Sequence, residues 1–286
     1  MLQKSTIQLL RFHFSFFLMP VYWFALSQTT NINTGNAILI FIILHMVIYP
    51  SSNGYNSYMD RDTESIGGIK NPLEPTKQLF YTSIFLDALA IGLSFFISLY
   101  FALAAIAYIA ASRAYSYRGI RLKKYPFIGY ITVIIFQGAV TFFMVAHGCS
   151  ADKTTAISTM DMLIASLLIG GFYPLTQIYQ HKQDKEDGVT TLSMKLGYTG
   201  TFVFTAVVYA TAMLLLAYQL FSISRQKDFF IVQLFFLPVL LYFFWWFNKV
   251  NRNQLAANFV NTMRMNLLAS ACTNTAFIVL FLMTRF

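Results

Sequence analysis

The sequence is poor in charge, in acid and in cysteine, and each shortage excludes something. Only 11% of its 286 residues are Asp, Glu, Lys or Arg, against about 25% in an ordinary soluble domain. With 57% hydrophobic and 17% aromatic residues, a soluble core has no means of absorbing so many Phe, Leu and Ile side chains. The two cysteines, Cys149 and Cys272, stand at no metal-ligand spacing and form no disulfide framework, so both read as packing residues. The first apolar stretch, Phe12 to Leu26, lacks a small-x-small cleavage site and runs into Gln-Thr-Thr-Asn; it reads as a span rather than a cleaved leader. No linker, composition shift or short-period repeat divides the chain, and one domain over 1–286 is expected. In a lipid-soluble chain, a net charge of +9 points to basic residues that set topology, not to nucleic acid.

What is present is a series of apolar runs of membrane-spanning length. They fall at 12–28, 36–52, 79–98, 99–116, 127–147, 160–179, 200–222, 229–247 and 266–284. The expected fold is all-α: a polytopic membrane protein with nine transmembrane helices around a central cavity and polar cytoplasmic loops. Alternating the faces along nine spans puts only Lys153, Arg225, Lys227 and Arg285, four of the twenty basic residues, on one side. The opposite face, with the N-terminus and the loops after spans two, four, six and eight, is therefore read as cytoplasmic.

The scarce acids gather on that same face. Asp60, Asp62 and Glu64 follow span two in NGYNSYMDRDTESIGGIKNP (53–72), and Asp184, Glu186 and Asp187 follow span six in QIYQHKQDKEDGVTTLSMKLG (177–197). Asn56, Asp60 and Glu64 are spaced i, i+4, i+8, so on helical backbone all three project from one face. Gln180 and Asp184 are likewise one turn apart, with Gly188 placed to end the helix and Thr191 to cap the next. Two acid-bearing helix ends are thus expected to face each other over a common cavity. Oxygen donors without a His and Cys grouping suit a hard cation such as Mg²⁺, which takes one or two carboxylates and completes its shell from a substrate's phosphate. His181 alone reads as a hydrogen-bonding residue. Between the two loops, RAYSYRGIRLKKY (113–125) anchors the basic face and also fits phosphate recognition, because guanidinium groups match phosphate oxygens. Carboxylates, metal and cations at one membrane face suit an activated diphosphate whose tail lies in lipid.

These motifs resemble those of the UbiA superfamily of intramembrane prenyltransferases. The family's Asn-Asp-x-x-Asp-x-x-x-Asp run is matched by Asn56, Ser57, Asp60 and Glu64, followed by a similar tail, SIGGIKNP. Its Asp-x-x-x-Asp-x-x-x-Gly-x-x-Thr-Leu run is matched by Gln180, Asp184, Gly188, Thr191 and Leu192. Its Tyr-Ser…Arg-Leu-Lys loop is matched by Tyr115, Ser116, Arg121, Leu122 and Lys123. Nine spans with cytoplasmic active loops are also the family's architecture. The resemblance implies Mg²⁺-dependent transfer of a prenyl group from a prenyl diphosphate to a lipophilic acceptor in the bilayer. It implies Asn56, Asp60, Glu64 and Asp184 as metal ligands, with Gln180 as an outer ligand and Asn53 as an added polar one. Arg61, Arg121, Lys123 and Lys185 are implied to bind the diphosphate, and Tyr115 to hydrogen-bond near the scissile oxygen. Asp60, Glu64, Asp184 and Tyr115 form the implied catalytic set. Ser57 and Gln180 depart from the pattern, each removing a negative charge.

An aromatic, quinone-like acceptor is expected because it is the commonest in the family; a porphyrin, a chlorin side chain or a glycerol-phosphate lipid is the alternative. A silent relative that only binds a prenyl lipid is the non-enzyme reading. A cation-coupled transporter is disfavoured because the acids lie at span ends, not at the midplane. A CDP-alcohol phosphotransferase would need an Asp-Gly-x-x-Ala-Arg signature that this chain lacks. Asn261, Thr262, Arg264 and Asn266, at the entry to the last span, either contact the acceptor or satisfy a helix end. The expected location is a bacterial inner membrane.

Overall fold

In hydrocarbon every backbone donor and acceptor must be paired within the protein, which leaves helices or closed barrels as the spanning structures. The computed structural model, which describes residues 1–285, is helical throughout, and among the described residues β-pairing is confined to two isolated bridges, Ile32 with Ser150 and Ile66 with Ile69. Helices α1 (Lys4–Leu10) and α2 (Met19–Gln28) flank a 3₁₀ segment, Phe12–Phe17. They are followed by α3 (Thr34–Asp60), α4 (Lys77–Ser94), α5 (Leu99–Ser116), α6 (Pro126–Cys149) and α7 (Thr159–Gln177). A short α8 (His181–Glu186) precedes α9 (Leu192–Ser222), α10 (Gln226–Arg252) and α11 (Phe259–Met283). Both α3 and α6 widen into a π-helix at mid-length, over Ile42–Ile48 and Ile134–Val140.

Seven of these, α3, α5, α6, α7, α9, α10 and α11, are long and apolar enough to cross a membrane, and an eighth if the N-terminal pair counts as one bent span. By length and composition alone the expected count of nine is not confirmed, for two physical reasons. The run at 12–28 is bent within itself: the 3₁₀ segment Phe12–Phe17 gives way at Leu18 to α2, and Lys4–Phe17 meets Met19–Gln28 at a 40° bend. The run at 79–98 becomes α4, whose Lys77, Gln78 and Asp87 dilute its apolar content. The near-continuous runs around Leu99 are separated by Ser98, whose hydroxyl accepts from Phe101 N and caps α5.

The ring closes on itself, because α11 packs along α2 and beside α10, while α2 also meets α6. One apolar cluster, which includes Phe24, Ile43, Leu44, Phe142, Phe277 and Leu280, fills the bundle's centre; a second surrounds Phe202, Phe243 and Trp246. Helices α6 and α7 approach so closely at Gly138 that a Cβ there would overlap the Ser166 backbone.

One polar network is buried among α3, α4 and α5. Arg113 Nε donates to Asp87 Oδ2 at 2.8 Å and Nη2 donates to Ser51 Oγ at 2.7 Å, while Ser51 Oγ donates to Asp87 Oδ1 at 2.6 Å. The guanidinium lies 4.1 Å from the Tyr55 ring centroid, a cation–π contact. A charge at membrane depth needs a partner, and here the partner fixes three helices against one another.

Arg113→Met leaves Asp87 buried without its cation and is expected to cost about 3–5 kcal/mol. The double variant Asp87→Leu/Arg113→Met should recover most of that loss. Chemical denaturation in detergent micelles checks both, and equal loss in the single and double variants would show that the pair does not hold the helices.

Candidate active site

The polar cavity lies where α3 and α7 end. Asn53 and Asn56 line it from α3, together with Asp60, the last residue of that helix. At Arg61 the backbone turns left-handed (φ 54°), and its N–H donates to Ser57 O as the helix closes. The i, i+4, i+8 face therefore holds through Asp60 and fails at Glu64. Glu64 is exposed, 3.9 Å from Lys182 Nζ, and does not line the cavity. The turn returns Asp62 to the cavity in its place. Arg118 stabilises this helix end by donating from Nε to Met59 O at 2.7 Å and from Nη2 to Asp60 O at 3.3 Å, a cation on the terminal carbonyls.

The second loop meets the first across the cavity. Asp184 and Gln180 line it from α8 and its N-cap, and Gly188 (φ 68°) lets the backbone reverse so that Val189 N donates to Asp184 O at 2.8 Å. Thr191 Oγ1 accepts from Met194 N and starts α9, as its position implied. Gln183 Nε2 donates to Asp62 Oδ1 at 2.7 Å and joins the loops directly. His181 faces away: its Nε2 meets Ser193 Oγ at 2.8 Å, its ring stacks on Tyr198, and burial pushes its pKa down to about 4.

The segment between the loops supplies cations. Lys123 Nζ is 2.6 Å from Asp60 Oδ2 and lines the cavity. Arg121, buried and left-handed (φ 53°), sits 3.7 Å from Asp60 Oδ1, donates to Asp187 O at 3.0 Å and pairs with the Asp187 carboxylate. It joins the two loops from behind and does not line the cavity. Arg61, exposed and stacked on Tyr58, and Lys185, also exposed, are not brought to the cavity either. Tyr115 lines the cavity with its hydroxyl against that of Tyr173, and Gln177 Nε2 donates to the Tyr173 hydroxyl at 3.0 Å.

Sequence reasoning missed Arg11, counted there only towards topology. The break between α1 and the 3₁₀ segment turns it inward. Its guanidinium donates to Asn53 O at 3.3 Å and Gly67 O at 3.4 Å, its Nε is buried with no protein partner, and it lines the cavity. Tyr173 and Tyr179 were missed as well, since nothing in the pattern separates them from packing tyrosines. Of the cluster at the entry to α11, Asn266 lines the cavity, whereas Asn261 and Thr262 satisfy the helix end at Ala256 O and Asn258 O. Ser57 is buried and does not line it.

The cavity holds about 220 Å³. Desolvation by burial, with Asp60 beside it, pushes Asp62 up to about 6. Desolvation, then the facing Asp62, Asp60 and Asp187, pushes Asp184 up to about 7 against the pull of Lys123. Asp60 Oδ1 and Asn53 Nδ2 are buried without a hydrogen bond. Among the described residues no group of three His, Cys, Asp or Glu side chains converges to hold a metal ion unaided. The cavity can thus receive a cation that brings ligands of its own, or a phosphate that brings its cation.

A bundle of membrane-length apolar helices with a carboxylate, amide and basic cavity at one end defines an integral membrane protein. The chain belongs to the UbiA prenyltransferase family, whose model matches residues 17–268, and so to the enzymes that transfer prenyl groups. Among solved structures it is similar to a UbiA homolog from Archaeoglobus fulgidus bound to DMAPP and Mg²⁺, with 16% identity, a TM-score of 0.70, and coverage of 97% of this chain and 99% of that one. It is also similar to the apo UbiA homolog from Aeropyrum pernix K1, with 17% identity, a TM-score of 0.70, and coverage of 93% and 97%. A digeranylgeranylglyceryl phosphate synthase shares 18% identity at a TM-score of 0.60, over 96% and 97% of the two chains. At these identities the likeness is one of fold. No curated protein sequence matches the chain.

The raised carboxylate pKa values carry a stability consequence. Between the ordinary carboxylate value and about 7, the folded protein holds a proton at Asp184 that the unfolded chain has released, so this group's contribution to stability falls as pH rises through that window. Asp184→Asn removes the penalty and is expected to raise the melting temperature at pH 8 by ~2–5 °C, with a flatter pH dependence between 5 and 8. A variant that melts lower at pH 8 would contradict the assigned frustration.

Proposed function

We propose that this protein transfers a prenyl group from a prenyl diphosphate to a lipophilic, aromatic, quinone-like acceptor, with Mg²⁺ bound at the cavity mouth. One observation carries the reading: Asp60, Asp62 and Asp184 line one cavity with Lys123, Arg11 and a tyrosine pair. The donor set fits the metal, because all its donors are oxygens and the carboxylates come from two separate loops, so substrate phosphate oxygens are left to complete the shell. Asp60, Asp184, Asn56 and Asn53 would hold it, with Gln180 as an outer ligand. Asp62 takes the part expected of Glu64, one carboxylate for another, and the charges absent at Ser57 and Gln180 are not replaced. When bound, the metal neutralises diphosphate charge and favours departure of the leaving group.

The chain's own residues do the rest. Lys123 and Arg11 bind the diphosphate oxygens; Arg121 positions the acids. The Tyr115–Tyr173 hydroxyl pair faces the bridging oxygen and donates to it as negative charge develops there. Cleavage leaves cationic character on the allylic carbon, and the faces of Tyr108, Phe136 and Tyr179 along the cavity wall offer stabilisation of up to about 2 kcal/mol each when dry. Six aromatic walls, including Phe14, favour a flat acceptor that stacks against them. The basic-residue bias supports a cytoplasmic orientation of this end, and we read the whole chain as a single domain.

Proteoliposomes given radiolabelled farnesyl or geranylgeranyl diphosphate, Mg²⁺ and a panel of aromatic and glycerol-phosphate acceptors should release pyrophosphate and yield labelled lipid. Absence of product across the panel, together with absence of prenyl diphosphate binding, would overturn the enzyme reading; binding without product would identify a silent binder. Asp60→Asn and Asp184→Asn should each lower turnover by ~100-fold or more, the scale of about 3 kcal/mol of lost transition-state stabilisation. Glu64→Gln should stay within about threefold of the parent, and its loss of turnover would return Glu64 to the site.

A further inference from the structure

Gln177 is the last residue of α7 and lines the reaction cavity beside Tyr173. Over Tyr173–Gln177 the helix tightens to 3₁₀ geometry, with Pro174 at its start, where proline removes a donor from the α-helical ladder. In a 3₁₀ helix, residues three apart eclipse one another. Leu175 and Ile178 accordingly turn one face into the apolar cluster around Phe202, while Tyr173, Thr176 and Tyr179 turn another to the cavity. Thr176 Oγ1 donates to Tyr173 O at 2.7 Å and ties the turn to itself.

The hydrogen bonds of this turn have a direction. An amide N–H only donates, and a carboxamide oxygen only accepts. Gln177 Nε2 donates to the Tyr173 hydroxyl at 3.0 Å, and Gln177 Oε1 is buried with no hydrogen-bond partner. The amide is therefore held at its nitrogen alone. With its oxygen engaged by Gln177, Tyr173 turns its own O–H to the hydroxyl that lies against it, that of Tyr115. Tyr115 accepts this bond, and among the described residues its hydroxyl meets no other protein partner. Its proton is left for the cavity that Tyr115 lines. Each hydrogen bond in such a series polarises the next, so the Gln177 amide also strengthens the bond that Tyr115 gives. Were the amide reversed, Tyr173 would donate to its carbonyl, Tyr115 would donate to Tyr173, and neither proton would face the cavity.

We propose that Gln177 sets the direction of the Gln177–Tyr173–Tyr115 hydrogen bonds, so that Tyr115, and not Tyr173, presents its O–H to the diphosphate. This rests on the prenyl-transfer reading above and divides the roles within its tyrosine pair. Gln177 touches no reacting atom and acts through the two hydroxyls, as a positioning residue. No proton changes owner: Tyr115 gives a hydrogen bond that strengthens as the allylic C–O bond breaks and negative charge gathers on the bridging oxygen. An interaction of this kind is weak before the bond breaks, so its loss is read in kcat and not in KM.

Direction and catalysis are read separately. The protein, carrying ¹³C at tyrosine Cζ, is placed in phospholipid nanodiscs, and Tyr115→Phe and Tyr173→Phe identify the two resonances by their loss. Gln177→Leu should move the Tyr173 resonance and, through it, that of Tyr115 before any ligand is added. Magnesium pyrophosphate should then move Tyr115 more than Tyr173 in the parent, and the Tyr115 response should shrink in Gln177→Leu. A larger response at Tyr173, or resonances indifferent to Gln177→Leu, would overturn the proposal. In turnover of farnesyl diphosphate, Gln177→Leu should lower kcat about tenfold, the scale of one hydrogen bond, and leave KM for the diphosphate unchanged. In a Tyr115→Phe background the same substitution should cost nothing further. An equal loss in both backgrounds would show that Gln177 merely holds the turn, and would also overturn it. Gln177→Met serves if the Leu variant does not fold. A parent that neither turns over nor binds prenyl diphosphate would defeat the prenyl-transfer reading, while the ligand-free resonances would still decide the direction of the hydroxyls.

Discussion

Arg121 stands between Asp60 at the end of α3 and Asp187 beyond α8, and much of the site's order depends on that position. Each acidic loop taken alone would be a mobile, solvated segment. A buried guanidinium that needs both carboxylates removes that freedom, because breaking either contact leaves a charge uncompensated where water is scarce. Lys123 completes the arrangement from the same segment, on the cavity side of Asp60. The loop between α5 and α6 is thus less a phosphate-binding loop in its entirety than a clasp. Lys123 is the cation it presents to the cavity, while Arg118 and Arg121 serve the backbone and the acids.

The clasp tolerates an unfavourable cavity. Burial, with Asp60 nearby, makes both Asp62 and Asp184 resist ionisation, and among the described residues no group of three acids, histidines or cysteines has metal-binding geometry. A cage complete in protein ligands would be satisfied by itself; an incomplete one, built of buried carboxylates, leaves room for ligands that the protein does not supply. Stability given up here is recovered deeper in the bundle, where Ser51, Asp87 and Arg113 lock α3, α4 and α5 just behind the donor face. Asn56 adds a lighter tie at the cavity wall, donating to Ser116 Oγ at 3.0 Å.

Much of the architecture was legible because lipid imposes a simple code: apolar runs, segregated basic residues, acids on one side. The code counts spans poorly where a helix carries its own internal charge, as α4 does at Asp87, or where a run bends within itself, as 12–28 does at Leu18. The pairing of the two loops was legible too, through repeated acid spacing. Glu64 was misplaced because helical periodicity was extended one turn beyond the helix, and a left-handed arginine is not a stop signal that sequence patterns advertise. Asp62 was in plain view, but its direction depended on that same turn. Arg11 carried no signal, since a basic residue on a basic face looks like every other.

The π-helical segments in α3 and α6 deserve a reading as insertions. A π turn accommodates one residue more than the α-helix it interrupts, and one residue is about 100° of rotation about the helix axis. In α3 the segment Ile42–Ile48 lies upstream of Asn53, Asn56 and Asp60, so its widened turn sets the direction in which all three point. Deleting a single apolar residue there would keep the span, its hydropathy and every site residue, yet swing the whole oxygen face towards a neighbouring helix. Descent within such a fold can therefore silence or redirect a catalytic face by a one-codon change some 15 Å from the chemistry, a distance set by the ten or so residues between them.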